Sequence, residues 1–343
     1  MNDNLLLYYN IFVIQFKKKK IMAIKCIGIL TSGGDAPGMN AAIRAVTRTA
    51  IYNGYKVKGI MRGYHGLVTG EIVDFKSQSV SNIIQKGGTI LKTARSKEFR
   101  TPEGRQLAYD NMKAAGIDAL VVIGGDGSFR GARDLSLRGL PCVGVPGTID
   151  NDIACSEYTI GYDTAMNTVL EMADRLRDTS ESHDRCSVIE VMGRRAGYIA
   201  LNAGIACGAT TILIPEVEYD FQRDVIDRMI RTQKTGKKHF IIIVAEGVGG
   251  VEEMAKRIEA ETGVETRATV LGHVQRGGHP TVRDRVTASL MGYKAVELLK
   301  EGIGNRVIAM QHDNIVDFDI FEALNMTKSL DLELYKIAHE ISI

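Results

Sequence analysis

CVGVPGTIDND, residues 142–152, passes from an unbroken apolar stretch straight into a cluster of polar groups. A strand with one face in water alternates apolar and polar residues, whereas a strand covered on both faces reads as a continuous apolar run. The stretch therefore reads as a buried strand of a sheet flanked by helices. Past its end stand Thr148, Asp150 and Asp152 on alternate positions. Alternate side chains of an extended segment point the same way, so these three groups are expected to converge on one face. Carboxylates brought together resist ionising unless a metal, a cation or a shared proton relieves them. A solvated, Asx-rich turn is the other reading of this stretch taken alone.

The same plan recurs along the chain. CIGILTSGG (26–34) precedes a helical pattern from about Met39 to Tyr52, and ALVVIGGDGS (119–128) follows the helical GRQLAYDNMKAAG (104–116). SVIEVMGRRAG (187–197), TILIPE (211–216), HFIIIVAEG (239–247) and TRATVLGH (266–273) continue the series with helices between them. Such βαβα alternation predicts parallel sheets covered by helices. Two series, one before and one after about residue 160, predict two similar α/β domains, which suits a length of 343 residues. Ligands of such sheets bind beyond the carboxyl ends of the strands, where the glycine clusters of this chain fall.

Composition narrows the class. A hydrophobic content of 45%, 24% charged residues and a net charge of +2 describe an ordinary globular protein and give no case for a nucleic-acid partner. The five cysteines, Cys26, Cys142, Cys155, Cys186 and Cys207, are scattered without metal-ligand spacing, which reads as reduced thiols in cytoplasm. Residues 1–21 differ from the rest. LLLYYNIFVIQF (5–16) is too short to span a bilayer, and the following KKKK lies on the wrong side for a signal peptide. The expectation is that Met22 is the true start and that the preceding segment is no part of the native fold; an amphipathic anchor is the alternative.

Three strand ends carry chemistry. SGGDAPGMN (32–40) has the GxxxxG spacing of a phosphate loop from Gly33 to Gly38, but Met39 and Asn40 replace the lysine and hydroxyl of a Walker motif. Backbone N–H groups at the next helix start can still meet phosphate oxygens, while the missing charge must come from elsewhere. In GGDGS (124–128), Gly125 and Gly127 permit close backbone approach, and Asp126 suits Mg²⁺ carried by a polyphosphate. A plain turn is the competing reading of each cluster. Cations recur near later strand ends: Arg95, Arg185, Arg194, Arg267, His273 and Arg276, with Glu246 ending its own apolar run. Single arginines are usually just solvated. Several beside apolar strands point to an anion pocket.

LTSGGDAPGMNAAIRAV (30–46), VVIGGDGS (121–128), PGTIDND (146–152), EVMGRRAG (190–197) and TRATVLGHVQRGG (266–278) together resemble the bacterial ATP-dependent 6-phosphofructokinases, in order and from about Met22 to the C-terminus. The resemblance implies two Rossmann-like three-layer α/β domains with mostly parallel sheets. One comprises residues 22–160 plus about 274–324 and holds the nucleotide. The other comprises about 161–273 plus 325–343 and holds sugar phosphate and effector. It implies transfer of the γ-phosphate of ATP to the 1-hydroxyl of fructose 6-phosphate, with Asp150 as base and Thr148 and Asp152 beside it. Arg95 and Arg194 are the implied transition-state cations and Asp126 the Mg²⁺-associated carboxylate. Gly34, Tyr64, Arg95, Ser96, Gly125, Asp126, Gly127 and Ser128 would line the nucleotide. Thr148, Ile149, Asp150, Met192, Gly193, Arg194, Glu246, His273, Val274, Gln275 and Arg276 would line the sugar phosphate. Arg185 and Arg267 would reach it from a neighbouring subunit of a homotetramer. Pyrophosphate-using relatives carry Asp and Lys where this chain has Gly127 and Gly147, so ATP is the expected donor.

The implied effector site comprises Arg44, Arg48, Arg177, Gly208, Lys237, Lys238 and His239, for phosphoenolpyruvate, phosphate or ADP. It departs from the family at Thr210, where a glutamate is usual, and at Thr235 and Asn82. Arg44 and Arg48, spaced i,i+4 on one helix, would repel without an anion between them. Anion binding is thus expected to survive and metal-assisted ADP binding to be lost. Pyrophosphate-dependent, lipid and NAD kinases share a GGDG-type strand end, and a nucleotide sensor without catalysis is a further alternative. The sugar-phosphate cluster argues against the lipid and NAD kinases, and the retained Asp150 argues against the sensor.

Overall fold

The computed structural model describes residues 24–342, so the apolar run at 5–16 and Met22 lie outside the described residues. Among the described residues, eleven strands form two sheets. The larger takes β1 (Cys26–Ser32), β2 (Lys56–Ile60), β3 (Ile72–Phe75), β4 (Ala119–Gly124) and β5 (Cys142–Pro146). The smaller takes β6 (Cys186–Val191), β7 (Thr211–Leu213), β8 (Phe240–Ala245) and β9 (Thr266–Val270). The chain then returns to the larger sheet with β10 (Arg306–Gln311) and β11 (Asn314–Asp319). Strand order is β11-β10-β5-β4-β1-β2-β3 in one sheet and β7-β8-β6-β9 in the other. All pairs are parallel except β2 with β3 and β10 with β11, which place one antiparallel strand at each edge of the larger sheet.

The continuous apolar runs have a direct cause. In β4, Ala119, Val121 and Ile123 enter one core while Leu120 and Val122 enter another on the opposite face. In β8, Ile241, Ile243 and Ala245 share the first core, and Phe240, Ile242 and Val244 enter a third. Each sheet is therefore covered on both faces, and the first core runs on between the two sheets. The helix Met39–Tyr52 has the bounds that its sequence predicts, and the helical pattern at 104–116 is realised as Pro102–Ala114. All five cysteines are free and buried. Among the described residues, no helix is long and apolar enough to cross a membrane.

Two features set the site. Register places Ser32 opposite Gly124, and Gly124 opposite Pro146, so three loaded strand ends stand side by side. The smaller sheet is tied on by Asp284, at the start of the helix Val282–Lys300. Its carboxylate accepts hydrogen bonds from Tyr158 Oη (2.5 Å), Gly161 N (2.7 Å), Thr164 N (2.9 Å) and Thr164 Oγ1 (2.5 Å), around the first turn of the helix Tyr162–Ser182. Gly161 has φ of 101°, and a Cβ there would stand 2.6 Å from the Ala36 Cβ, so only glycine allows this approach.

Candidate active site

Beyond these strand ends lies a cavity of about 850 Å³. Ser32–Asp35, Gly125–Ser128 and Gly147–Thr148 supply one wall, Thr93–Ser96 another, and Met192, Arg194 and Arg276 close it from the smaller sheet's side. The residues read as nucleotide contacts all face it: Gly34, Tyr64, Arg95, Ser96, Gly125, Asp126, Gly127 and Ser128. Tyr64 forms part of its floor. Its ring stacks on Phe99 with centroids 4.1 Å apart, its hydroxyl donates to the Ser128 carbonyl at 2.5 Å, and burial pushes its phenol pKa well up.

Asp150 lies just behind this wall, 1% exposed. Arg194 Nε stands 3.2 Å from Oδ2 and Arg276 Nη2 stands 3.9 Å from Oδ1, yet neither oxygen accepts a hydrogen bond. Burial and the neighbouring Asp152 raise its pKa, and the Arg276 and Arg194 guanidiniums pull it back only in part. A carboxylate with free lone pairs between two cations can take a proton from an incoming hydroxyl. The cations then hold the charge that develops.

Thr148, Asp150 and Asp152 do meet, but not by strand alternation. β5 ends at Pro146, the chain turns at 149–150, and Asn151 adopts a left-handed conformation with φ of 51°. Asn151 is held there by its own side chain, which donates to the Glu157 carbonyl at 3.0 Å, while Thr159 Oγ1 donates to the Thr148 carbonyl at 2.6 Å. The turn puts Thr148 and Asp152 on the cavity wall and Asp150 behind it; Ile149 points into the core, leaving only its backbone for a ligand.

The segment from Met192 to Arg194 is clamped from two sides. Glu246 Oε1 accepts from Gly193 N at 3.1 Å and Arg194 N at 2.5 Å, fixing φ values of 142° and 56°, while Gln275 Oε1 accepts from Met192 N at 3.3 Å. Gln275 is fully buried, so its side chain serves to hold Met192 rather than to meet a ligand. Arg276 Nη1 donates to the Asp35 carbonyl at 3.1 Å, which carries its guanidinium across to the glycine loop of the larger sheet. His273 and Val274 are exposed and stand outside the cavity lining.

Other residues are not brought there. Arg185 and Arg267 share Glu265, at 2.8 Å and 3.0 Å, near the amino ends of β6 and β9 and so at the opposite end of the sheet from the cavity. Of the effector candidates, Arg177 bonds the Cys207 carbonyl beside Gly208, and Lys237 Nζ lies 3.4 Å from Thr210 Oγ1. Burial, with Arg177 and Arg228 nearby, lowers the Lys237 pKa. Lys238 instead pairs with Asp184 at 3.7 Å, and His239 is half-buried. Arg44 and Arg48 stand on the helix Met39–Tyr52, and burial followed by Arg48 lowers the pKa of Arg44. No hydrogen bond or ion pair among the described residues joins them to the Arg177 group.

A cleft set beyond the carboxyl ends of parallel strands places the chain among the α/β proteins that carry their ligand site at that end of the sheet. Residues 26–299 match the family model described as Phosphofructokinase, and the chain belongs to that family. The ATP-dependent 6-phosphofructokinase of Clostridium botulinum (strain Hall) is 57% identical over 319 residues, 93% of this chain and 100% of that protein. The enzyme of the same name from Bacillus cytotoxicus is 56% identical over 320 residues, with the same coverage of both chains. Phosphofructokinase from Saccharomyces cerevisiae superposes with a TM-score of 0.83 at 38% identity, covering 93% of this chain and 48% of the yeast chain, so this chain spans about half its length.

Proposed function

We propose that the protein transfers the γ-phosphate of ATP to the 1-hydroxyl of fructose 6-phosphate, giving fructose 1,6-bisphosphate and ADP. The observation that carries this reading is Asp150, a buried carboxylate with no hydrogen bond to either oxygen, held between Arg194 and Arg276 behind the cavity. Asp150 takes the hydroxyl proton as that oxygen attacks the γ-phosphorus, and the bond from phosphorus to the bridging oxygen of ADP breaks. Thr148 and Asp152 border the reacting centre. Arg95, Arg194 and Arg276 face the cavity and stabilise the transferring charge, in place of the Walker lysine that the sequence lacks. Glu246 and Gln275 set the backbone that presents Arg194.

Mg²⁺ fits the residues present. Among the described residues no group of three or more His, Cys, Asp or Glu could cage a metal. Asp126 nevertheless turns a carboxylate to the cavity, with Arg130 at 3.3 Å as its one partner among the described residues. One carboxylate, waters and phosphate oxygens are the usual Mg²⁺ environment in such enzymes, and the ion would offset charge on the phosphates. ATP is the donor read from the glycines. A Cβ at Gly127 would meet nothing within 4 Å, so the space is open to a nucleotide, whereas one at Gly147 would press on Ile123 and Met39 at 3.1 Å.

The proposed organisation assigns 22–160 plus about 274–324 to the nucleotide domain, and about 161–273 plus 325–343 to the sugar-phosphate and effector domain. Arg185 and Arg267, held by Glu265 away from their own cavity, serve a neighbouring subunit of a cytoplasmic homotetramer. The group at Arg177, Gly208 and Lys237 receives an anionic effector. An assay coupled to fructose 1,6-bisphosphate, supplied in turn with ATP, pyrophosphate and no donor, tests the reading: turnover with ATP alone is expected, and a preference for pyrophosphate would overturn it.

A further inference from the structure

A second cavity, of about 350 Å³, lies behind the catalytic turn; Asp152, Arg195, Tyr198, Glu216, Lys328 and Leu330 are among its lining residues. Asp152 also lines the larger cavity, so this residue at the end of the turn borders both spaces. The adjoining Asn151 is buried and left-handed, with φ of 51°, so the backbone there depends on the groups that hold its carbonyl and side chain. One side chain braces it from behind. Lys328, in the linker between the helices Ile320–Ala323 and Leu332–Glu340, donates from Nζ to the carbonyls of Asn151 (2.7 Å) and Ser156 (2.8 Å). The ammonium also stands 4.7 Å from the centroid of the Tyr198 ring, at the start of the helix that follows Arg194. Burial lowers its pKa to about 8, against the pull of Asp152, Cys155 and Glu157, so it is still mostly cationic at neutral pH.

We propose that Lys328 is a positioning residue for phosphoryl transfer: its ammonium closes the 151–156 loop from the rear and keeps Asp150 and Asp152 aimed at the reacting centre. This rests on the phosphotransferase reading above. Among the described residues no other group donates to the Asn151 carbonyl, and the cavity beside Asp152 gives the loop room to relax. Loss of the ammonium is therefore expected to displace the base, while Met192, Arg194 and Glu246, on the smaller sheet's side of the cavity, stay where they are.

The test compares Lys328→Met, which keeps the apolar stem, with Lys328→Arg, which keeps the charge and the donors. Turnover of Lys328→Met is expected to fall by about 10- to 100-fold, the scale of an ångström misplacement, with KM for fructose 6-phosphate within about threefold of wild type. Lys328→Arg is expected to recover most of the turnover. Hydrogen–deuterium exchange of the unliganded proteins gives a readout independent of activity: faster exchange in Lys328→Met is expected at 148–159 and not across the sheets. If wild type itself fails to turn over ATP and fructose 6-phosphate, the phosphotransferase reading falls, and exchange at 148–159 still decides whether Lys328 holds the turn. Turnover of Lys328→Met within twofold of wild type, or unchanged exchange at 148–159, would overturn the proposal. A thermally destabilised Lys328→Met with exchange raised throughout, unrelieved by arginine, would make the residue merely structural and overturn it too.

Discussion

Asp150→Asn should make the protein more stable and nearly inactive. The carboxylate is 1% exposed and accepts no hydrogen bond, and the amide that replaces it has almost the same shape. Loss of the base should lower turnover by about 10²- to 10⁴-fold. The stability effect follows from the raised pKa. The folded protein binds this proton more tightly than the unfolded chain, so the ionised group destabilises the fold at any pH above its folded pKa. That penalty fades as pH falls through the folded value towards the unfolded one. Arg194, 62% exposed on its side chain, loses little when its partner is neutralised, and Arg276 retains the Asp35 carbonyl. The expected gain at pH 7 is about 0.5–2 kcal/mol, the scale of relieving one strained site, or a rise in Tm of a few degrees. Turnover by the coupled assay and urea unfolding over a series of pH values from 7 downward would check both effects, with the stability gap narrowing as pH falls towards the ordinary carboxylate range. A variant less stable than wild type at pH 7, or one that keeps more than a tenth of the turnover, would refute the reasoning.

Three further outcomes are expected. Gly127→Asp with Gly147→Lys should cut ATP use more than fructose 6-phosphate binding, measured as kcat/KM for ATP against sugar-phosphate affinity, because side chains would fill the nucleotide's space and crowd Ile123 and Met39. Asp284→Ala strands four donors at the joint between the sheets and should cost about 3–5 kcal/mol by urea unfolding; a loss below about 1 kcal/mol would show that water replaces the carboxylate. MgADP should activate wild type weakly at sub-saturating fructose 6-phosphate, since fully buried Thr210 offers Mg²⁺ no carboxylate beside Lys237, and Thr210→Glu should strengthen that activation. Strong MgADP activation of wild type, unchanged by the glutamate, would sink that idea.

Long apolar strands are legible in the sequence, but burial alone does not decide it: β9 reads as a strand although most of it is half-buried or exposed, and β10 does not although Val307–Met310 are buried. β1, β4, β5, β6 and β8 read as apolar runs because cores press on both of their faces. β2, β3, β10 and β11 were missed. β3 is four residues long with its middle exposed, and the turn between β10 and β11 has His312 and Asp313 at φ of 50° and 59°, a tight hairpin without the Asn-Gly or Asp-Gly pair that usually signals one. The convergence of Thr148, Asp150 and Asp152 was readable, but its cause was not. A left-handed Asn151 is set by hydrogen bonds to Glu157 and Lys328, which no local pattern discloses. Glu265, which holds Arg185 and Arg267, and Lys328 are single charges in polar segments, and only the folded chain reveals what they touch.

The central claim is that Asp150 and its flanking arginines move the γ-phosphate of ATP onto the sugar's 1-hydroxyl. Phosphorus-31 NMR of the wild-type protein with ATP, Mg²⁺ and fructose 6-phosphate tests it most directly. The account predicts loss of the γ-phosphate signal matched one for one by a new phosphomonoester at carbon 1 and by ADP. Inorganic phosphate appearing in place of that ester, or a γ-phosphate signal that persists while added pyrophosphate is consumed, would contradict it.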